Sequence, residues 1–461
     1  MNLDKIKSIY FLGIGGIGMS ALARYFHSRG KHIWGYDKTR TALTAQLEAE
    51  GMAIHYEENV PQVQEGISSK GLGKDDLLVV ITPAVPSDHA EMTFLAQAGY
   101  VMKKRSEVLG MITAGSFTIA VAGTHGKTTT SSLIAHILRT AGIDCTAFLG
   151  GITQNYNTNL LIGKHPTTVV EADEYDRSFL TLHPDIAVIT SVDADHLDIY
   201  GSREFMHQSY DLFAGQVKPG GRLILRKGVE EALKTATGKS KVISYSLQDG
   251  TDLSAQNIAV RDGKFSYAIA DRGRIIPALE LGIPGRHNIE NSIAAVAAAR
   301  EMGVDDEAIR KALASFRGVK RRFEYHIRRS DLVYIDDYAH HPEELKACIT
   351  AIRELYPGRR ITGVFQPHLY SRTRDFADEF ALSLGLLDEV ILMEIYPARE
   401  LPIPGVSAQM LLDKIPLRHK KICGKDELVS ELKGRKLDIV LTAGAGDIDQ
   451  FVEPITKALE K

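Results

Sequence analysis

The stretch Gly123-Thr124-His125-Gly126-Lys127-Thr128-Thr129-Thr130 limits what this chain can fold into more than any other. It follows a short apolar run rich in β-branched residues, Phe117 to Ala122, and precedes Ser131 to Leu138, where apolar residues recur at helical spacing. Strand, glycine loop and helix in that order make a cradle for polyphosphate. Glycines let backbone N–H groups approach the oxygens, and the helix N-terminus adds a positive dipole end. Lys127 supplies a mobile charge, and the Thr128 hydroxyl is placed to ligate magnesium. The loop is a shortened form, because Val121 stands where the standard phosphate loop has its first glycine. An ordinary βα turn is the competing reading, and a Gly-Lys-Thr triplet in this context argues against it.

A chain of 461 residues exceeds one ordinary core and predicts about three domains. With 55 Lys+Arg against 58 Asp+Glu, no field of one sign favours nucleic acid or an anionic membrane, so the ligands are expected to be small. Cys145, Cys348 and Cys423 are too few and too scattered for a disulfide framework or a zinc cluster. The opening residues are polar rather than a signal peptide, and no run of about 18 apolar residues occurs, which predicts a cytoplasmic enzyme.

The N-terminal third opens with a strand at Ile6 to Tyr10, then Gly13-Ile14-Gly15-Gly16-Ile17-Gly18, then a helix at Met19 to Ser28. A second strand, His32 to Tyr36, ends at Asp37, the distance at which a dinucleotide fold places a carboxylate on a ribose hydroxyl. Taken alone this spacing suggests NAD, but the same glycines would cradle any diphosphate, and a UDP-linked ligand fits equally. Two further strands, Leu77 to Ile81 and Tyr100 to Lys103, carry the domain to about residue 115. The turn Thr82 to Asp88 lies at a strand's C-terminal end, where parallel sheets bind ligands, although a proline-rich loop without a role reads the same way.

Beyond the phosphate loop, Thr167 to Val170 is a strand running into Glu171-Ala172-Asp173-Glu174-Tyr175-Asp176, and Ile186 to Thr190 runs into Ser191 to Asp198, where His196 sits among carboxylates. Acidic clusters usually mean solvated turns; two of them at strand ends beside a phosphate loop form a constellation suited to magnesium. Residues 221 to 282 carry no chemistry. At His287 to Asn291 a loop enters a helix of small residues, where Asn288 and Asn291 are either caps or readers of a base edge. The last third repeats the α/β grammar, with polar clusters at the C-terminal ends of strands, among them Asp336 to Pro342 and Gln366 to Arg374. The adjacent His340 and His341 point apart and lack partners at metal-ligand spacing, so a solvated pair or a substrate contact is the better reading.

Together these strings resemble the Mur ligases: GIGGIGMS at Gly13 to Ser20, GTHGKTTT at Gly123 to Thr130, EADEYDRSF at Glu171 to Phe179, DHLDIY at Asp195 to Tyr200, HNIEN at His287 to Asn291, DDYAHHP at Asp336 to Pro342 and QPHLYSRTR at Gln366 to Arg374. Within that family the chain looks most like the branch that joins L-alanine to UDP-N-acetylmuramate. The resemblance spans all three thirds in order. It implies an α/β chain of three domains: a Rossmann-like UDP-binding domain over 1–115, a phosphate-loop ATPase domain over 116–322, and a Rossmann-like amino-acid-binding domain over 323–461. It implies ATP and Mg2+ as cofactors, with Gly123 to Thr129 on the nucleotide, Thr128, Glu171 and His196 on the metal, and Asn288 and Asn291 on adenine. Arg322 and Asp337 match positions that close on the nucleotide, while His368 and Arg372 look like contacts for the amino-acid carboxylate. Gly15, Gly16, Ile17, Gly18 and Asp37 would hold the sugar nucleotide. Several relatives carry a carbamylated lysine where this chain has Asp211, so that role is not expected here.

The chemistry so implied is phosphorylation of a carboxylate by ATP followed by displacement of phosphate by an amine. Positioning and charge neutralisation do most of that work, and domain closure would keep water away. Neither nucleic acid nor membrane is an expected partner, and the enzyme would act as a monomer or homodimer. Three rivals remain: a related ligase that adds a recycled tripeptide; an NAD-dependent oxidoreductase resting on Gly13, Gly15, Gly18 and Asp37, which leaves Lys127 to Thr130 unexplained; and a non-catalytic nucleotide switch, whose ATP turnover would not depend on an amino acid.

Overall fold

The computed structural model describes residues 3–193, 200–233, 240–261, 263–398 and 400–460. The chain divides into two compact units, Met1–Ser254 with Asn291–Ala312, and Ala255–Glu290 with Leu313–Lys461.

The first unit begins with a five-stranded parallel sheet. Its order from edge to edge is Ala53–His55, His32–Tyr36, Ser8–Leu12, Leu77–Ile81 and Val101–Lys104. Ser8–Leu12 is buried at every position, as a parallel strand covered on both faces should be. Ala53–His55 is absent from the sequence reading: one exposed and two half-buried residues at a sheet edge leave no apolar run to detect. The helix after the glycine loop starts earlier than expected, at Ile17, and runs to Ser28.

The same unit holds the strand of the phosphate loop, Phe117–Ala122. Thr167–Glu171 pairs with it on one side and Ile186–Ile189 on the other, both parallel, with Glu171 level with Val121 and Ile189 level with Ala122. This order decides the site. Both acidic strand ends leave the sheet immediately beside the loop, on the edge where parallel sheets collect ligands. Outward on one side lie Thr146–Thr153 and its antiparallel partner Thr158–Leu161; on the other lie Arg222–Arg226 and Lys241–Ser246. The helix Lys127–Thr140 is buried without interruption from Thr128 to Leu138.

In the second unit, Lys264–Asp271 and Arg274–Leu281 form an antiparallel hairpin. A six-stranded sheet follows, ordered Glu324–Arg328, Val333–Asp337, Ile439–Ala443, Ile361–Phe365, Glu389–Leu392, Lys420–Ile422. Only its first strand is antiparallel. Two short helices follow Ile361–Phe365, Tyr370–Asp375 and Ala377–Leu384, separate because Phe376 takes φ −119°, ψ 24° between them. Among the described residues, no helix is long and apolar enough to cross a membrane.

Candidate active site

The phosphate loop is held from beside it. Gly126 adopts φ +83° and Gly123 φ +131°, backbone that side chains rarely take, which lets the loop turn into the helix at Lys127. A Cβ at Gly123 would run into Thr190, and one at Gly126 into the amide of Asn291. Ser191 clamps the loop: its hydroxyl lies 2.8 Å from Thr124 Oγ1 and accepts from His125 N at 2.9 Å, while Thr190 Oγ1 donates to the His125 carbonyl. Asp193 N donates to Thr124 Oγ1 at 3.1 Å, and the His125 ring stands 3.9 Å from the Asp193 carboxylate. Thr128 and Thr129 are buried in the first turn of the helix.

Lys127 Nζ donates to Gly123 O and to Glu174 Oε1, both at 2.7 Å. Burial works to lower the pKa of this ammonium, but the carboxylates of Glu174, Asp173 and Glu171 outweigh it and hold the value above the usual lysine range. Burial pushes Glu174 up, opposed by Lys127 and reinforced by Asp173. Glu174 is 1 % exposed, and its second oxygen has no hydrogen-bond partner among the described residues. One lysine among three acids leaves the pocket short of positive charge.

The donor set fits magnesium, a hard cation that takes oxygen ligands and needs few from the protein when phosphates supply others. Thr128, Glu171 and the spare buried oxygen of Glu174 are such donors. Among the described residues no group of three His, Cys, Asp or Glu makes a closed metal cage. His196, and with it Asp195 and Asp198, lies outside the described residues. Gly150 seats Glu171, since a Cβ there would overlap the carboxylate.

A cavity of about 220 Å³ runs from the glycine loop of the first sheet (Gly16, Ile17, Gly18) to Gly150, Glu171 and Asp173, with Arg105 also in its wall. Asp37, expected on a ribose, is turned onto the loop itself: Oδ2 accepts from Gly15 N at 2.7 Å and Oδ1 from Thr39 N at 3.0 Å. A Cβ at Gly13 would lie 2.6 Å from Thr82 Cγ2, so the Thr82 turn packs on the same loop.

In the second unit, Arg372 is buried, and its Nη1 lies 3.5 Å from His368 Nδ1. His368 stacks on Tyr396 at 5.7 Å and meets His340 edge-on at 6.0 Å. Burial, then His340 and Arg372, depress His368 to about 3, and burial depresses His340 to about 4, leaving both neutral at pH 7. Arg322 Nη1 is 3.7 Å from Glu344 and its guanidinium lies over the Tyr338 ring at 5.1 Å. Asp337, expected at the nucleotide, has both oxygens engaged by backbone: Phe323 N at 2.7 Å and Ala339 N at 2.7 Å. Burial raises it to about 6 against the pull of Arg322. Asp337 therefore ties two backbone segments together.

The two asparagines part company. Helix Arg286–Glu301 begins before both, so neither is its cap; Asn291 packs over Gly126, while Asn288 Nδ2 donates to Pro284 O at 2.6 Å. Lys127, Thr128, Glu171 and Asn291 thus share one site in the first unit, and Arg322, Asp337, His368 and Arg372 belong to the second. Sequence reasoning missed Glu174, Ser191, Gly150 and Arg105. Glu174 lay inside a string already singled out, but nothing in its spacing pointed to Lys127, 47 positions away.

Comparison with known proteins covers nearly the whole chain. Three family models match: "Mur ligase family, catalytic domain" over residues 8–117, "Mur ligase middle domain" over 121–299, and "Mur ligase, glutamate ligase domain" over 321–446. The chain is 50 % identical to the UDP-N-acetylmuramate–L-alanine ligase of Cytophaga hutchinsonii, covering 100 % of this chain and 98 % of that one. It is 49 % identical to the enzyme of the same name from Parabacteroides distasonis, covering 100 % and 99 %. Among solved structures, the UDP-N-acetylmuramate-alanine ligase of Thermotoga maritima superposes with a TM-score of 0.81 at 26 % identity, covering 98 % of this chain and 99 % of that one. A murein peptide ligase from Psychrobacter arcticus shares the fold, with a TM-score of 0.72 at 22 % identity over 98 % of each chain. With the phosphate loop, its flanking acids and Asn291 all inside the middle match, and full-length relatives at half identity, this chain belongs to the Mur ligase family.

Proposed function

We propose that this protein joins L-alanine to the lactyl carboxylate of UDP-N-acetylmuramate, driven by ATP, as a cytoplasmic step in making peptidoglycan precursors. The observation that carries the reading is the cavity whose wall includes the Gly16 to Gly18 loop at one place and Glu171 and Asp173 at another, beside Lys127. A UDP-linked acid held by the first loop would bring its carboxylate toward the second. Full-length relatives bearing that enzyme name support the same substrates. We take 1–115, 116–322 and 323–461 as the functional segments for sugar nucleotide, ATP and amino acid.

A carboxylate oxygen of the substrate attacks the γ-phosphorus and ADP departs, leaving an acyl phosphate. The amine of alanine then attacks the acyl carbon, the C–O bond to phosphate breaks, and an amide, inorganic phosphate and a proton result. Lys127 and the backbone N–H groups of Gly123 to Thr129 neutralise and orient the transferring phosphoryl group. Thr128, Glu171 and His196 would hold Mg2+, which when bound screens phosphate charge. Asn291, with Asn288, addresses adenine; Asp37 keeps the glycine loop in shape, and Asp337 steadies the backbone next to Arg322. Arg372 and His368 take the amino-acid carboxylate. The test is phosphate release from ATP in the presence of UDP-N-acetylmuramate and, one at a time, several amino acids. Release that requires both the sugar nucleotide and alanine supports the reading; release indifferent to either contradicts it.

Gly150 offers a check on the metal assignment. Gly150→Ala should displace the Glu171 carboxylate while leaving the backbone unstrained, lowering turnover about 10- to 100-fold and raising the magnesium concentration needed, with an unchanged melting temperature. Wild-type magnesium dependence in that variant would remove Glu171 from the metal site.

A further inference from the structure

Arg105 opens the helix Arg105–Thr113, directly after the last strand of the first sheet, Val101–Lys104. Its side chain lies against Gly18, the last glycine of the GIGGIG loop: a Cβ there would sit 2.9 Å from Arg105 Cδ and 3.0 Å from Nη1. The absence of a side chain at position 18 therefore makes room for a guanidinium, which lines the 220 Å³ cavity together with the loop. Among the described residues of that lining it is the only cation, facing Glu171 and Asp173. Among the described residues its one charge partner is Asp173, at 3.5 Å, and Asp173 already accepts from Tyr175 N at 3.1 Å. Arg105 makes no hydrogen bond to any described residue, so its five N–H donors are available to whatever enters the cavity.

The helix that starts at Ile17 has no side-chain cap at Gly16, and Gly16, Ile17 and Gly18 line the same cavity. Uncapped N–H groups and a planar guanidinium side by side match the oxygens of a phosphate, which an arginine grips with two parallel bonds. We propose that Arg105 is a binding residue for the diphosphate of the sugar nucleotide, completing the glycine loop with the charge that loop lacks. This rests on the substrate reading above and adds a residue to it.

Calorimetric titration of the wild type, Arg105→Ala and Arg105→Lys with UDP, UDP-N-acetylmuramate and ATP tests it. Loss of one charge-assisted contact should weaken UDP and UDP-N-acetylmuramate by the same factor, about 10- to 100-fold, with Arg105→Lys intermediate. Unchanged ATP affinity in the variants certifies that they are folded. Weakening confined to UDP-N-acetylmuramate would assign Arg105 to the lactyl carboxylate and overturn the diphosphate role. Unchanged affinity for both UDP compounds would reduce Arg105 to packing. A wild type that binds neither compound would instead overturn the substrate reading itself.

Discussion

Lys127→Ala is expected to lose ligase turnover by about 100-fold or more and, separately, to melt earlier than the wild type. The first loss follows from removing a charge-assisted contact at the transferring phosphoryl group. The second follows from the pairing of Lys127 with the buried Glu174 at 2.7 Å. Deleting one partner of a buried pair costs about 3–5 kcal/mol, less whatever the survivor recovers by taking up a proton. Glu174 is already pushed above the ordinary carboxylate value by burial, and loss of Lys127 raises it further. The folded variant then keeps a proton that the unfolded chain releases near the ordinary value of 4.5. Its stability is retained below that value and lost as pH rises through the folded pKa, so the gap in melting temperature should widen from pH 5 to pH 8. The double variant Lys127→Ala/Glu174→Gln should recover melting temperature without recovering turnover. Near wild-type turnover in Lys127→Ala would sink the phosphate-loop assignment, and a pH-independent gap would mean that Glu174 is not the stranded group.

Arg372→Ala should raise the KM for alanine about 10- to 100-fold, the loss of a bidentate grip on a carboxylate, and leave the KM for ATP unchanged. Arg372 is 9 % exposed, and its neighbours His368 and His340 are neutral at pH 7. The guanidinium is therefore the positive charge of that row. The neighbouring Arg374 is exposed and bonds Asp375 at 2.7 Å. Arg374→Ala is thus the control, expected to move neither KM. Steady-state rates with alanine and ATP varied in turn decide between them: an unchanged alanine KM in Arg372→Ala leaves the amino-acid pocket elsewhere.

The parallel strands were legible because burial on both faces writes them as unbroken apolar runs, as at Ile186–Ile189 and Phe117–Ala122. Once those strands are placed, the C-terminal-edge rule puts the acidic ends of Thr167–Glu171 and Ile186–Ile189 on the same sheet edge as the phosphate loop. Side-chain direction was not legible. The spacing of Asp37 suggested a ribose contact, whereas its carboxylate serves Gly15 N, and Asp337 likewise serves two backbone groups. Contacts remote in sequence were also hidden. Lys127 to Glu174, Gly150 under Glu171 and Arg105 against Gly18 depend on how loops from different strands meet, which no local pattern encodes. The break at Phe376 left no trace either, because neither glycine nor proline marks it.

The account turns on an acyl phosphate formed next to Lys127, and isotope transfer reads that event directly. UDP-N-acetylmuramate carrying 18O in its lactyl carboxylate should be turned over with ATP and alanine, and the released phosphate analysed by mass. If the carboxylate attacks the γ-phosphorus and the amine later breaks the acyl C–O bond, each turnover delivers one 18O from the carboxylate to inorganic phosphate. Phosphate without label, or label appearing in AMP, would contradict it.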